Sequence, residues 1–474
     1  MSSRFVLPMA VRAALAALAT LTGCAQMPPD GGVGALNQLT QPRMGLALPT
    51  PPTPPTSESQ AQVQALMAQP LTADSAVQLM LLNAPAVRVQ LLSMGLAEAD
   101  LAAASRLPNP GLSFARLAKG EEVEIERGLH FNLSRLLTWP IAREIEANRL
   151  AQTRLDVARE VVRQAFEVRQ AWYQAVAAKE LVQHSQRVLD TSQVGAELAR
   201  RMRAAGNWSR LKESTELGFE AEAMAQHQRA QLANLSAQEH LARLLGVDSP
   251  QAFTLPDRLP ALPAQAQPLP QAEQAAVDQR LDVQAARLSA EQRARQSGVT
   301  GRLRGFVNVL DLNAGIVNNS SNEAPRQRGY EISLELPLFD WGGLKATQAE
   351  WQYQQAMAQA AHTAQQARAE VRLAHASYLT QFTLARYQLD TVLPLRKDVS
   401  REKLLRYNGM LIGVFDLLAD AREQARSVQA AIEAQRDAWI ARAALDLALS
   451  GPAAPLALPS TSSASQNATP SAGH

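Results

Sequence analysis

Two short runs in this chain alternate almost without error. In "VEIERGLHFNLS", residues 123–134, Val123, Ile125, Leu129, Phe131 and Leu133 share one parity, with Arg127 the one charge among them. Glu124, Glu126, His130, Asn132 and Ser134 hold the other. "YEISLELP", residues 330–337, repeats the pattern with Tyr330, Ile332, Leu334 and Leu336 against Glu331, Ser333 and Glu335. Period-two alternation predicts strands with one apolar and one wet face. Four strands are predicted, at 111–118, 123–136, 303–313 and 328–338. The third, "LRGFVNVLDLN", alternates poorly, and "AGIVNNSSNEAPRQR" at 314–328 is expected to be a polar connecting loop.

Nearly everything around these strands has the pattern of long helix. A helix of about 30 residues, "SAVQLMLLNAPAVRVQLLSMGLAEADLAAASR", precedes the first strand pair, with Pro85 as its predicted break. Very long helices are predicted over 141–203 and 343–405. Turns holding Gly206 and Gly409 reverse the chain into returning helices over 210–246 and 413–450. At 1.5 Å per residue, 60 residues span about 90 Å. No single globular core accommodates such a helix, which survives by packing on other long helices.

The same order of elements occurs twice. "LLTWP" ending at Pro140 answers "LFDWG" ending at Gly342, and "EVRQA" at 167–171 answers "EVRLA" at 370–374. "RAAGNWS" at 203–209 answers "RYNGMLI" at 406–412, and "ARLLG" ending at Gly246 answers "LALSG" ending at Gly451. The offsets are 202 to 205 residues throughout, so the chain is a tandem repeat. The repeats are assigned to 74–249 and 272–451, joined by a Pro-rich connector at 250–271 and followed by a disordered tail at 452–474.

Composition adds a compartment. The first 23 residues combine Arg4 and Arg12 with the apolar run "AALAALATL", too short to span a bilayer. They are expected to be a signal peptide. "LTGC" closes it at Cys24, the only cysteine, so no internal disulfide can form. Small residues ending at a cysteine resemble the bacterial lipobox, which implies covalent lipid on Cys24 and, with Ala25 following, an outer-membrane address. Residues 24–73, with "LPTPPTPPT", form a lipid-anchored Pro-rich arm. The net charge of +2 implies no pull toward nucleic acid.

Four strands cannot close a transmembrane barrel, which needs about eight. Open edges cannot sit in lipid. Either the strands pack on something in the same chain, or several chains pool them, with the apolar parity to lipid and the polar parity to a wet lumen. At this point the sequence resembles the TolC family of outer-membrane factors. The features that carry the resemblance are the repeat, the junctions "LTWPIAREIEANRLAQTRLDVARE" and "LPLFDWGGLKATQAEWQYQQA", the turns "RAAGNWSRLKE" and "RYNGMLIGVFDLLADAREQ", and the block endings "LARLLG" and "LALSG". They span about 74–451, and the lipobox matches that family's lipoprotein branch. The resemblance implies a mainly α chain with a small β part. Three chains would pool four transmembrane strands each into a twelve-stranded barrel, continued by an α-barrel across the periplasm. It implies an efflux duct working with a periplasmic adaptor and an inner-membrane pump. The form "YNGMLIGVFDLLADAR" is similar to members linked to metal, especially copper, resistance. The rival from another class is a lipid-anchored periplasmic coiled-coil scaffold with a small soluble sheet.

No catalytic constellation is present: there is no His-Glu-x-x-His, Cys pair, phosphate-cradling loop or nucleophile elbow. "GGVG" at 31–34 lacks the strand and helix of a nucleotide site. None of the seven histidines pairs at ligand spacing, and His362 and His375 are expected on helix surfaces. The chain is therefore read as no enzyme, with no cofactor and no metal centre. The turns are the candidate sites. Gly206 and Gly409 permit a positive φ, and Asn207, Arg210, Asn408 and Met410 beside them are candidates for adaptor docking. Asp416 matches the first of the family's aspartates at the closed periplasmic end, while Ala419 stands at the second. The resemblance makes Asp416 a gate residue; the plain alternative is an acid favoured by the helix dipole.

Overall fold

The computed structural model of this chain describes residues 27–49, 57–266, 269, 272–302, 312–322, 325–334 and 343–452. Cys24, residues 303–311 of the third predicted strand and the tail beyond 452 lie outside the described residues. In chain order the elements are α1 (Val33–Met44), α2 (Ser57–Met67), α3 (Ala73–Asn83), α4 (Pro85–Ala104), β1 (Gly111–Lys119), β2 (Glu122–Asn132), α5 (Leu133–Ala204) and α6 (Arg210–Leu245). Then come α7 (Ala272–Gln279), α8 (Leu281–Arg302), β3 (Leu312–Ser321), β4 (Gln327–Leu334), α9 (Gly343–Tyr387), α10 (Leu393–Asn408) and α11 (Val414–Ser450). The repeat is thus visible twice as helix pair, strand pair, long helix and returning helix. Pro85 opens α4 after a break at Ala84, as the pattern predicts. Among the described residues no single helix is long and apolar enough to cross a membrane.

The chain divides into two compact units. One comprises residues up to Leu66 with Gln78–Gln164 and Leu281–Gln365. In it Leu79, Met80, Val87, Leu91, Met94, Val157, Val161 and Val283 are all buried. The Pro-rich arm contributes more order than its composition suggests. Val33, Leu36, Met44 and Leu48 are buried, and Asp30 caps the turn before α1 by accepting the N–H groups of Gly32 and Gly34. The Gly34 bond is the main reason the Asp30 carboxyl titrates below its usual range. The same unit holds the sheet, ordered β1-β2-β3-β4 with every pair antiparallel.

Two strand boundaries differ from the sequence reading. The second strand stops at Asn132, not at 136, because the Asn132 Oδ1 accepts the Arg135 N–H at 2.7 Å and starts α5 there. The third occupies 312–321, most of it in the segment expected to be loop. Its Asn, Gly and Ser residues have low strand propensity, but pairing on both sides, to β2 and β4, decides the conformation.

The second unit comprises Met67–Val77, Ala165–Arg280 and Gln366 onward. Its helices meet through small side chains. Ala374, Ala441 and Ala448 pack with Val371, Tyr378, Phe382 and Leu445 in one buried cluster. Alanine at a contact lets helix axes approach toward the short end of the usual 8–10 Å. The 250–271 connector is built into this unit. Phe253, Leu255 and Leu259 are buried, and the Pro260 carbonyl accepts from Trp439 Nε1 at 3.0 Å and Gln435 Nε2 at 2.8 Å. Tyr173 stacks on Trp439 with centroids 5.2 Å apart, and burial pushes its phenol up to about 12. The long second helix is not uniform: Gln388–Val392 forms a π turn just before Pro394. Proline cannot donate to the preceding turn, and the wider turn absorbs the mismatch.

Arg280, 1% exposed and set in the break after α7, ties α9 to α11 by bonding Glu370 at 2.8 Å and the Ala448 carbonyl at 3.2 Å. Arg280→Ala leaves a half-buried Glu370 without this partner and should cost about 3 kcal/mol. A clear fall in melting temperature, followed by circular dichroism in detergent, is expected. An unchanged melting temperature would show the bridge to be energetically idle.

Candidate functional sites in the sheet and at the helical turns

The register sorts the sheet into two chemically distinct faces. On one, Leu112, Leu129, Ile316 and Tyr330 form a row across all four strands, and Phe131, Ala314 and Ile332 form the next. Leu312 and Leu334 pair in the row beyond. Several are largely open: Leu112 is 86% exposed and Tyr330 83%. The described residues leave this apolar surface uncovered. The opposite face carries Glu122, Glu124, Glu126 and Glu331 with Asn132, Asn313 and Asn319. There the His130 ring lies over glycine backbone and bonds Ser113 Oγ at 2.7 Å. A Cβ at Gly128 or Gly315 would come within 2.6 Å of that ring, so both positions must stay bare. Among the described residues the outer edges of β1 and β4 have no strand partner.

The turns lie in the second unit. After α5, Gly206 adopts φ 75°. Its N–H bonds the Arg203 carbonyl, and the Asn207 N–H bonds Met202, the paired closure of a Schellman motif. After α10 the same two bonds run from Met410 to Tyr407 and from Leu411 to Arg406. The left-handed position is therefore Met410, at φ 56°, not Gly409, whose φ is −81°. The hydrogen bonds align Gly206 with Met410, one residue off the glycine-to-glycine match. Asn207, Arg210, Asn408 and Met410 are all exposed, and Met410 is 93% so.

The two returning helices start by different chemistry at equivalent places. Ser209 caps α6 through its own side chain, accepting the Lys212 N–H. Gly413 stands at the matching position of α11 and has no side chain to offer. Asp416, three residues on, reaches back instead, and its Oδ2 accepts the Gly413 N–H at 3.2 Å. The exposed Asp416 carboxylate thus serves first as a helix start.

Residues that sequence reasoning passed over hold the turns together. Trp208 stacks on Phe415 with centroids 3.8 Å apart. Glu216 and Asp420 are 4% and 3% exposed, at matching positions in α6 and α11. Glu216 pairs with Arg422, whose guanidinium lies 4.1 Å from the Phe219 ring centroid. Asp420 pairs with Lys403 Nζ at 3.1 Å and accepts from Ser400. An acid seven places into each returning helix was the available signal. Above them runs a groove of about 470 Å³ lined by His184, Ser185, Phe219, Arg229, Arg422 and Glu433. His184 Nε2 lies 2.9 Å from the Ala425 carbonyl. A carbonyl only accepts, so Nε2 carries the proton, and burial lowers the pKa of the ring. His362 is exposed; His375 is half-buried, with its Nε2 unpartnered among the described residues. No cluster of three metal-ligating side chains occurs among the described residues.

No protein-family model matches the chain, and no curated protein matches it. Solved structures do. The outer membrane protein VceC of Vibrio cholerae matches with a TM-score of 0.63 at 18% identity, over 83% of this chain and 97% of that one. The CmeC outer membrane channel of Campylobacter jejuni gives 0.67 at 14%, over 80% and 85%. The open state of the MtrE outer membrane channel of Neisseria gonorrhoeae gives 0.63 at 19%, over 82% and 89%. The chain has the fold of these channels.

The turn geometry makes opposite predictions at equivalent positions. Gly206→Ala meets open space but strains a left-handed backbone, at a cost of about 1 kcal/mol. Met410→Gly removes the same strain and should stabilise its turn by a similar amount. Amide hydrogen exchange at residues 203–209 and 407–413 should speed up in the first variant and slow down in the second. Equal behaviour in both would contradict the assigned register.

Proposed function

We propose that this chain is the outer-membrane channel of a three-part export system, anchored by lipid on Cys24 and working as a homotrimer. The observation that carries the reading is a four-stranded sheet with one apolar face and two unpaired edges, joined to long helical hairpins. Three copies supply twelve strands, enough for a closed barrel. The apolar face then meets lipid and the glutamate face lines the lumen. Exposed Leu373, Leu384, Tyr387, Leu395 and Leu405 on α9 and α10 give neighbouring chains an apolar surface to share. The fold it shares with solved outer membrane channels supports the same placement.

In this reading the helical turns form the periplasmic end. Met410 and Leu411, with Asn207, Arg210 and Asn408, offer an exposed surface to a periplasmic adaptor, and an inner-membrane pump supplies energy and chooses cargo, metal or drug. The duct itself is passive. Closure depends on the ties already described: Glu216 to Arg422, Asp420 to Lys403, and Trp208 on Phe415. Three Asp416 carboxylates around a narrow axis attract cations and complete the gate.

Single-channel recording in planar bilayers tests this. The wild-type protein should conduct weakly and be blocked by divalent cations. Asp416→Ala should weaken the block by about tenfold. Arg422→Ala, which strands the buried Glu216, should raise conductance by loosening the closed end. No conductance from an inserted protein would favour the scaffold reading. Unchanged conductance and block in both variants would remove these residues from the gate.

A further inference from the structure

Apart from Lys119, which the register places opposite Glu122, the charges of the sheet are segregated by face. Charged side chains on the described glutamate face are Glu122, Glu124, Glu126 and Glu331; on the apolar face they are Arg116, Arg127 and Arg328. All three arginines are exposed, and no described carboxylate forms an ion pair with any of them. Arg127 and Arg328 share one row with Phe114 and Asn318, and Arg116 shares the next with Ile125 and Ser320. With strands about 4.8 Å apart and same-face rows about 7 Å apart, Arg127 and Arg328 stand roughly 10 Å apart and the three positions span roughly 16 Å. The rows lie on the hairpin side of the fully apolar rows, yet Phe114 stands in the first, Ile125 in the second, and Val123 beyond both. The arginines therefore sit at the hairpin end of the apolar rows, with Phe114 and Ile125 beside them.

We infer that Arg116, Arg127 and Arg328 form a belt that binds phosphorylated lipid headgroups at the outer boundary of the membrane. The inference rests on the channel reading, which places this face in lipid and the hairpins outward. Arginine on the lipid face of a barrel costs about 2–4 kcal/mol at mid-bilayer and about 0–1 near the interface. Three together fix their rows at the headgroup level. The planar guanidinium matches phosphate through two parallel hydrogen bonds, and Asn318 between Arg127 and Arg328 adds a neutral donor. Phe114, in the arginine row nearest the fully apolar rows, covers the adjoining acyl chains. A trimer carries this patch three times around its rim, so its occupant is a lipid with several phosphates and not a zwitterionic one.

The full-length protein is reconstituted in phosphatidylcholine bilayers containing either diphosphorylated lipid A or the same lipid stripped of phosphate. Lipid retained through detergent extraction is counted by native mass spectrometry. The wild-type trimer should retain the phosphorylated form at least about tenfold better. The R116Q/R127Q/R328Q variant should lose that preference while still forming trimers and conducting. Equal retention of both lipids by the wild-type protein overturns the inference and leaves the channel reading standing. Undiminished preference in an assembled triple variant also overturns it. The wild-type comparison decides the matter even where the variant does not assemble. A wild-type protein that neither forms trimers nor conducts would bring down the channel reading instead.

Discussion

The structure turns on the backbone groups that the described strands leave unpaired at the two edges of the sheet. β1 and β4 each pair on one side only, so their outer N–H and C=O groups have no partner among the described strands. In water such edges are tolerated; in hydrocarbon each unpaired group costs several kcal/mol. The apolar rows of Leu112, Leu129, Ile316 and Tyr330 point to hydrocarbon. In the proposed channel, edge and face together call for closure by further copies.

The helices answer a parallel constraint. They are too long to share one globular core, so they pack on one another through alanine contacts such as Ala374 with Ala441 and Ala448. Such contacts are close but individually weak. Polar ties supply the specificity: Arg280 to Glu370 and Ala448, and Trp439 to the Pro260 carbonyl. At the turns the buried acids Glu216 and Asp420 take over this role. A buried ion pair adds little net stability but penalises any separation of its partners strongly. In the proposed channel, that property suits an end held shut until a partner intervenes.

Much of this was legible in the sequence because it is periodic. Alternation located β2 and β4, the helical pattern located the long helices, and the repeat located the turns. What escaped was what pairing decides. β3 is hidden because "NAGIVNNSS" has a loop's composition, and the need for Gly315 under the His130 ring is invisible until β2 lies beside it. Gly409 looked like the partner of Gly206, but the hydrogen bonds put Met410 there. The Pro-rich connector looked like a spacer, yet Trp439 and Gln435 pin it. Asp416 was singled out, while its cap on Gly413 followed only from a missing side chain at the N-terminal position of α11. Glu216 and Asp420 passed unnoticed because burial of an acid is a tertiary fact.

The most direct test is the mass of the detergent-solubilised mature protein, measured by native mass spectrometry with lipid retained. A complex of three chains that survives dilution is expected. A monomer that stays in solution without detergent once Cys24 is removed would contradict it, because the sheet edges and the apolar face would then need neither lipid nor neighbours.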